Sequence, residues 1–181
     1  IYKLTLGNNF YTMAPFAVAL KDKVPEIEKI TRIDFNMGGG KSPLLRVQKG
    51  NETGTFQVKD IIYADSTFFD IFSFSVIRGD AKKSLSEPNT IVLTESTANK
   101  IFGTDDPMGK IIEFIGTNEN PRLNYTVTAI IKDIPASSSI KFNGIVSFYT
   151  LKSIKPGGVD VDEDFGNWTK IFVNINPSWF Y

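Results

Sequence analysis

The segment most suggestive of nucleotide chemistry is Gly38-Gly39-Gly40-Lys41-Ser42, which superficially resembles a phosphate-binding loop. Such a loop requires the pattern G-x-x-x-x-G-K-[ST] between a strand and a helix, because backbone N–H groups and the lysine must surround the phosphates. Here the position five before Gly40 is Phe35, and Pro43 with a strand pattern follows where the helix should begin. The segment therefore predicts a flexible hairpin connection rather than a nucleotide site.

Two clusters of acidic residues have the right chemistry for a cation. One is Asp105-Asp106, and the other comprises Asp160, Asp162, Glu163 and Asp164. The second cluster resembles half of a calcium loop, but it lacks the central Gly and the Glu at position twelve that an EF-hand requires. We therefore predict that the carboxylates of both clusters are solvated loop groups.

The chain contains no histidine and no cysteine. This composition removes the usual proton shuttle near neutral pH, the commonest transition-metal ligands and the Cys and Ser–His nucleophiles. Catalysis would have to use carboxylate, lysine, tyrosine or serine–lysine chemistry. The serine triplet at residues 137–139 is predicted to be a loop. No catalytic, cofactor-binding or metal-binding residue is predicted.

Composition limits the classes of protein that remain. With 181 residues, 41% hydrophobic, the chain can bury the core of one domain, or of one domain with an inserted subdomain. Twenty basic residues balance twenty acidic ones, so no excess of positive charge is available for a nucleic acid partner. No apolar run approaches the roughly 18 residues that cross a bilayer. The chain begins within a strand pattern and without a signal-peptide pattern, so we expect it to be part of a longer protein.

Strands dominate the predicted secondary structure. Their patterns fall at residues 1–6, 26–35, 45–49, 55–64, 74–77, 90–93, 110–115, 125–132, 144–149 and 170–176. One helix is predicted over 13–23, where Pro15 suits the first turn. Another is predicted from a Thr94 cap through Ile101, with Gly103 ending it. Because helices and strands do not alternate regularly, the pattern favours an α+β fold over a doubly wound parallel sheet.

A group of phenylalanines predicts a third, short helix. Asp65-Ser66 can cap a helix that carries Phe68, Phe69 and Phe72. Their spacing is typical of core packing rather than of a ligand-binding patch. Further along the chain, Asp133 precedes Pro135 by two residues and is predicted to form a turn.

Several segments, in this order and spacing, resemble one known family. The segments are Ala14-Pro15, Pro25–Glu28 with Thr31-Arg32, Tyr63–Phe74 with Arg78-Gly79-Asp80, Glu87-Pro88-Asn89, Ile91–Glu95, Ala98, Phe102-Gly103, Pro107–Lys110, Val127–Pro135 and Ser138–Phe142. Together they resemble the extracytoplasmic core domain of MacB/FtsX-type ABC transporter permeases, in the form abundant in Bacteroidetes. The resemblance covers about residues 10–150. The shared residues cap helices, end them or pack, so they indicate a fold more strongly than an activity.

The resemblance implies a domain between the first and second transmembrane helices of a permease, on the periplasmic face of the bacterial inner membrane. The expected partners are those transmembrane helices, a second permease copy and a cytoplasmic ABC ATPase. A porter-like α/β subdomain is expected at about 1–35 and 140–181, with a mostly β subdomain inserted within 36–139. The expected function is to relay ATP-driven motion to periplasmic substrates or partner proteins, without enzymatic activity.

Two other functions remain as alternatives. A periplasmic ligand-binding sensor domain of a membrane receptor would need a concave apolar pocket with convergent polar groups. A carboxylate-based hydrolase would need two acidic residues about 5–9.5 Å apart across a cleft. The family resemblance predicts an elongated, two-lobed domain without such a pocket.

Overall fold

The framework of the chain is a mixed β-sheet with helices on its faces. The computed structural model describes residues 1–4, 12–35, 42–50, 52–115, 122–155, 158, 160–163 and the backbone of 168–175. Its strands are β1 (Tyr2–Lys3), β2 (Thr12–Met13), β3 (Ile27–Asp34), β4 (Leu44–Lys49), β5 (Glu52–Gln57), β6 (Ile61–Ala64), β7 (Val76–Gly79), β8 (Thr90–Thr94), β9 (Ile111–Ile115), β10 (Leu123–Ile131), β11 (Gly144–Ser147) and β12 (Trp168–Ile175). The helices in this part of the chain are α1 (Pro15–Lys23), α2 (Phe68–Ile71), α3 (Glu95–Phe102) and α4 (Tyr149–Ile154).

The strands form one sheet in the order β1-β12-β3-β6-β11-β8-β10-β9-β4-β5, while β2 pairs with β12 and β7 pairs with β10. The β6–β11 and β8–β10 pairs are parallel. The other pairs of this order are antiparallel. The predicted α+β class is confirmed.

The ladder between β3 and β6 is short, with two residue pairs, as is the ladder between β1 and β12. The β12–β3 ladder runs from Lys170 opposite Ile33 to Ile175 opposite Ile27. The β3–β6 ladder, in contrast, consists of Ile33 opposite Ala64 and Asp34 opposite Tyr63. The end of the sheet that contains β1, β12 and β3 is therefore joined to the rest by a short ladder, and side chains must supply the remaining connections.

Apolar side chains cover both faces at the centre of the sheet. All five residues of β8 are buried. Ile91 and Leu93 lie in one core cluster, and Val92 between them lies in the other. This is the expected consequence of the alternation of side chains in a strand with both faces covered.

The structure confirms the three predicted helices and revises two strands. Pro15 lies in the first turn of α1, and Gly103, with φ 65°, follows α3. The strand predicted over 55–64 is divided into β5 and β6, and Asp60 between them has φ 55°. The strand predicted over 144–149 ends at Ser147, and the chain then forms α4, which the sequence pattern did not predict.

Substitution of Gly79 by alanine is expected to destabilise the fold more than substitution of Gly103. Both glycines have positive φ, 86° and 65°, so alanine would strain the backbone at either position. A Cβ on Gly79 would also overlap the Thr128 carbonyl oxygen and lie 2.9 Å from the Ala129 Cα, whereas one on Gly103 would contact nothing. Overpacking adds about 1–3 kcal/mol, and chemical denaturation of the two variants measures this difference. Equal losses would show that the close approach of β7 to β10 is unimportant.

Three sequence-based predictions lie wholly or partly outside these observations. The phosphate-loop-like segment falls at 38–42, of which 38–41 lie outside the described residues. The division into subdomains at 1–35, 36–139 and 140–181 stays a prediction, because one sheet contains strands of all three ranges. The end of the first predicted strand, residues 5 and 6, also lies outside the described residues.

No helix formed by the described residues is long and apolar enough to cross a membrane.

Candidate functional site

A buried arginine lies at the narrow junction between β3 and β6. Arg32 belongs to β3, and its side chain is 8% exposed. Its Nε and backbone N–H both donate to Asp65 Oδ2, at 2.9 and 2.7 Å, and its second guanidinium nitrogen donates to Asp65 Oδ1 at 2.8 Å. Asp65 returns its own backbone N–H to the Arg32 carbonyl oxygen at 3.3 Å. Asp65, the first residue after β6, thus continues the short ladder through side-chain hydrogen bonds.

The same guanidinium reaches a second acidic group from the C-terminal part of the chain. Its remaining terminal nitrogen donates to Asp162 Oδ1, and Asp162 Oδ2 accepts from Nζ of Lys152 on α4. The guanidinium carbon lies 4.2 Å from the ring centroid of Phe148, a fully buried residue that precedes α4. We call Arg32, Asp65, Asp162 and Lys152 the junction network. It joins β3, the start of the α2 region, α4 and the 160–163 segment.

Electrostatics in the junction network favour the charged forms. Burial opposes ionisation of Arg32, but Asp65 and Asp162 raise the pKa of the guanidinium above its ordinary value. Burial likewise opposes ionisation of Asp162, but Lys152 and Arg32 lower the pKa of that carboxyl group. The hydrogen bond to Asp162 raises the pKa of Lys152. Arg32, Asp162 and Lys152 therefore remain ionised near neutral pH. The partly buried charges of the junction network compensate one another.

Acid is expected to weaken the junction network. Because the pKa of Asp162 in the folded chain is lower than its ordinary value of 3.8, its contribution to stability is full above that value. The contribution is lost as the pH falls through the lowered pKa. The free energy of unfolding should therefore decline less steeply below about pH 4 in Asp162→Asn than in the wild type, as urea titrations at several pH values would show. Glu163→Gln, at an exposed neighbour, is the control. If the free energy of unfolding of Asp162→Asn declined with pH as steeply as that of the wild type, the stabilising role of ionised Asp162 would be contradicted.

Further contacts hold the α2 region against β3. Thr67 Oγ1 donates to the Ile30 carbonyl oxygen at 2.5 Å, and Lys29 Nζ lies 3.1 Å from Asp70 Oδ2. Below them, the fully buried Phe68 ring is surrounded by four other phenylalanine rings, at centroid distances of 5.0 to 5.7 Å: Phe69, Phe72, Phe74 and Phe142. The prediction that this aromatic group packs in the core is confirmed. The α2 region is thus fixed on the core and bonded to β3.

The two acidic clusters that were predicted to be solvated differ in their exposure and in their partners. Asp106 has an exposed carboxylate that accepts two hydrogen bonds from Arg78, at 2.7 and 3.0 Å, and one from the Met108 N–H. The prediction is wrong for Asp162, which belongs to the junction network. Asp164 lies outside the described residues. Among the described residues, no group of three or more acidic side chains has the arrangement of a metal site.

Two aspartates have roles other than those predicted for them. Asp65 was expected to cap the short helix, but the α2 N-terminus has no side-chain cap and Asp65 binds Arg32 instead. Asp133, predicted as a turn former, accepts the Ser96 N–H at 3.0 Å and so caps α3. Thr94, the predicted cap of α3, is hydrogen-bonded through its hydroxyl to the Thr97 hydroxyl at 2.8 Å and to the Asn143 carbonyl oxygen at 3.2 Å.

Sequence reasoning overlooked one pattern associated with nucleophilic serine. Ser138 and Lys141 have S-x-x-K spacing. Ser138 Oγ donates to the Ile140 carbonyl oxygen at 2.8 Å, and Lys141 Nζ donates to the carbonyl oxygens of Pro135 and Ala136. Both side chains therefore hold the local turn, in agreement with the predicted loop.

Two adjoining clefts lie around the N-terminus of α3. The larger, about 640 Å³, separates the end of β5 from α3. Its lining residues are Thr55, Phe56, Gln57, Val58, Lys59, Ser96, Thr97, Lys100 and Asn143. The smaller, about 440 Å³, is lined by Asp60, Thr94, Ser96, Asp133, Ile134, Lys141, Phe142 and Asn143. Hydroxyl, amide and charged side chains line both clefts, together with Phe56 and Val58 in the larger and Ile134 and Phe142 in the smaller.

Three solved structures of domains from a permease or a transporter are similar to this chain in fold. A domain described as a permease protein from Porphyromonas gingivalis matches with a TM-score of 0.69 and 20% identity, over 93% of this chain and 70% of that one. The periplasmic region of MacB from Actinobacillus actinomycetemcomitans matches with a TM-score of 0.60 and 20% identity, over 92% of this chain and 65% of that one. The extracellular domain of the noncanonic ABC-type transporter YknZ from Gram-positive bacteria matches with a TM-score of 0.57 and 16% identity, over 95% and 77%.

The chain belongs to the MacB-like periplasmic core domain family, whose model matches residues 3–178. It is therefore the periplasmic domain of a MacB-like ABC transporter permease, which is a class of transporter and not a class of enzyme. The resemblance noted in the sequence is confirmed, and the match from Porphyromonas gingivalis is compatible with the Bacteroidetes form. No curated protein matches the chain.

Proposed function

We propose that this domain relays ATP-driven movement of the permease's membrane helices to periplasmic substrates or partner proteins. The expected assembly contains two permease copies and a cytoplasmic ABC ATPase. In this proposal the domain performs no chemistry of its own. It transmits movement, and its functional residues are those that connect one end of the sheet firmly to the rest.

The observation that carries the proposal is the pairing of β1 with β12 at one end of the sheet. In β1 and β12, Tyr2 lies opposite Val173 and Lys3 opposite Phe172. Strands from the two ends of the chain therefore lie side by side, and β12 continues the pairing onto β3. Movement that enters through β12 would reach β3 directly, and movement that enters through β1 would reach β3 through β12.

Transmission beyond β3 depends on the junction. The β3–β6 ladder has only two residue pairs, so backbone hydrogen bonds alone provide a weak connection. The Arg32–Asp65 pair adds a charge-assisted bidentate contact at this point, and such contacts are stronger and more specific in geometry than neutral hydrogen bonds. Asp162 and Lys152 extend the connection to α4. This arrangement supports a stiff link between the two parts of the sheet.

Distance measurements on the assembled permease test the proposal. This domain has no cysteine of its own, so in a permease whose other cysteines are replaced, Gln48→Cys gives one spin label in each copy. Gln48 lies on the exposed side of β4, remote from β1 and β12 in the sheet order. We expect the label-to-label distance between the two copies to differ between nucleotide-free and ATP-plus-vanadate states. An unchanged distance in a complex that hydrolyses ATP would contradict the proposed relay.

A further inference from the structure

Among the strands that the structure describes, the last one in the sheet order has an edge without a partner strand. Among the described residues, β5 pairs only with β4, and the register is continuous from Leu44 opposite Gln57 to Lys49 opposite Glu52. Edge strands usually carry lysine, proline or a bulge that prevents further pairing. β5, with the sequence ETGTFQ, has no lysine, proline or bulge, and its one charged residue is Glu52 at the start of the strand. Its edge is therefore open to an additional strand.

Hydrogen-bond directions identify the groups on this edge. The Val58 N–H donates to the Pro43 carbonyl oxygen at 3.3 Å, toward β4. Because alternate residues of an antiparallel strand face alternate sides, the backbone groups of Thr53, Thr55 and Gln57 face away from β4. Within the described part of the chain, the backbone groups of Thr53 and Thr55 on this side have no hydrogen-bond partner. Lys100 Nζ donates to the Gln57 carbonyl oxygen at 2.8 Å and marks the end of the free edge.

The larger cleft lies directly beside this edge. It separates the second half of β5 from α3, so a strand added to β5 would place every second side chain toward Ser96 and Lys100. The charged residues that line the cleft are both lysines, Lys59 and Lys100, and no carboxylate side chain lines it. An ammonium group has three N–H donors, so Lys100 can bind a ligand carboxylate and retain its bond to Gln57. Charge complementarity therefore favours an acidic segment.

We propose that the free edge of β5 binds an extended acidic segment of a periplasmic partner protein, which adds to the sheet as a further strand with its carboxylates beside Lys59 and Lys100. Strand addition derives affinity from main-chain hydrogen bonds and specificity from the cleft beside the edge. The inference rests on the proposed function only in assigning the partner to the periplasm. The relay proposal does not depend on this surface.

A peptide titration of the 181-residue chain tests the inference. The probe is an acetylated and amidated heptapeptide of alternating valine and aspartate, and the matched control peptide has asparagine in place of aspartate. We expect the aspartate peptide to slow hydrogen exchange of the Thr53 and Thr55 amides by about tenfold or more. We also expect it to bind about tenfold more tightly than the control peptide, in keeping with charge-assisted hydrogen bonding.

Variants distinguish edge pairing from simple charge attraction. Thr55→Pro removes an N–H that faces away from β4 and should abolish binding, whereas Thr55→Val keeps the N–H and should bind normally. Lys100→Gln should weaken binding about tenfold, while Lys110→Gln, at an exposed position outside the cleft, should not. If Thr55→Pro does not fold, the two lysine variants and the hydrogen-exchange data still test the inference. The inference is overturned if the aspartate peptide does not bind, if both peptides bind equally, or if exchange slows elsewhere but not on β5.

Discussion

Replacement of Arg32 by methionine is expected to lower the free energy of unfolding by about 3 kcal/mol, the lower end of the range for breaking a buried ion pair. The loss arises because Asp65 and Asp162, whose side chains are 19% and 22% exposed, would each lose their guanidinium partner. Because both carboxylates keep partial access to water, the loss is expected at the lower end of the range for buried ion pairs. Guanidinium denaturation monitored by tryptophan fluorescence measures the change.

The matched control for this substitution is Arg46→Met. Arg46 pairs with Glu113 at 3.2 Å, but both side chains are considerably more exposed than Arg32. Exposed pairs contribute about 0–1 kcal/mol, so the control variant should remain close to the wild type. Comparable losses in the two variants would show that the junction network has no special importance for stability.

The second large effect is expected for Phe68→Ala, which should cost about 3–5 kcal/mol. Phe68 is fully buried, and its ring contacts those of Phe69, Phe72, Phe74 and Phe142, so alanine would leave a cavity that these rings cannot easily fill. Loss of this anchor should also loosen the α2 region that Thr67 and Asp70 bond to β3.

Phe16→Ala provides the comparison for the phenylalanine substitution. Phe16 lies on α1 and is 37% exposed, so its truncation removes less buried surface and should cost about 1 kcal/mol or less. Thermal and chemical denaturation of both variants measure the difference. A small effect of Phe68→Ala would mean that the aromatic group does not hold α2 on the core.

Local signals in the sequence were sufficient to predict the helices that begin or end with characteristic residues. Pro15 marked the first turn of α1, and Gly103 marked the end of α3. These residues act through their own backbone conformation, which neighbouring sequence reveals. By contrast, α4 is only six residues long, and such short helices are stable mainly through tertiary contacts. One of these contacts is the hydrogen bond from the Asn89 N–H to Thr150 Oγ1, between residues 61 positions apart.

The junction network could not be predicted because its members are distant in sequence. Arg32 is 33 residues from Asp65 and 130 from Asp162. A charged residue in an irregular strand pattern is more often exposed than buried, and an acidic cluster is more often solvated than paired. Only the pairing of β3 with both β6 and β12 brings these segments together. The family resemblance predicted the fold successfully, but it assigned no role to the charged residues.

In the proposed relay, the junction network transmits movement from β1, β12 and β3 to the rest of the sheet. The most direct test measures the Gln48→Cys label distance between the two copies of the assembled permease, with and without ATP plus vanadate, in the wild type and in Arg32→Lys. Lysine keeps the charge but cannot form the bidentate contact with Asp65. We predict that Arg32→Lys retains ATP hydrolysis while the nucleotide-dependent distance change becomes smaller than in the wild type and in the control Arg46→Lys. An undiminished distance change in a folded, active Arg32→Lys permease would contradict the claim.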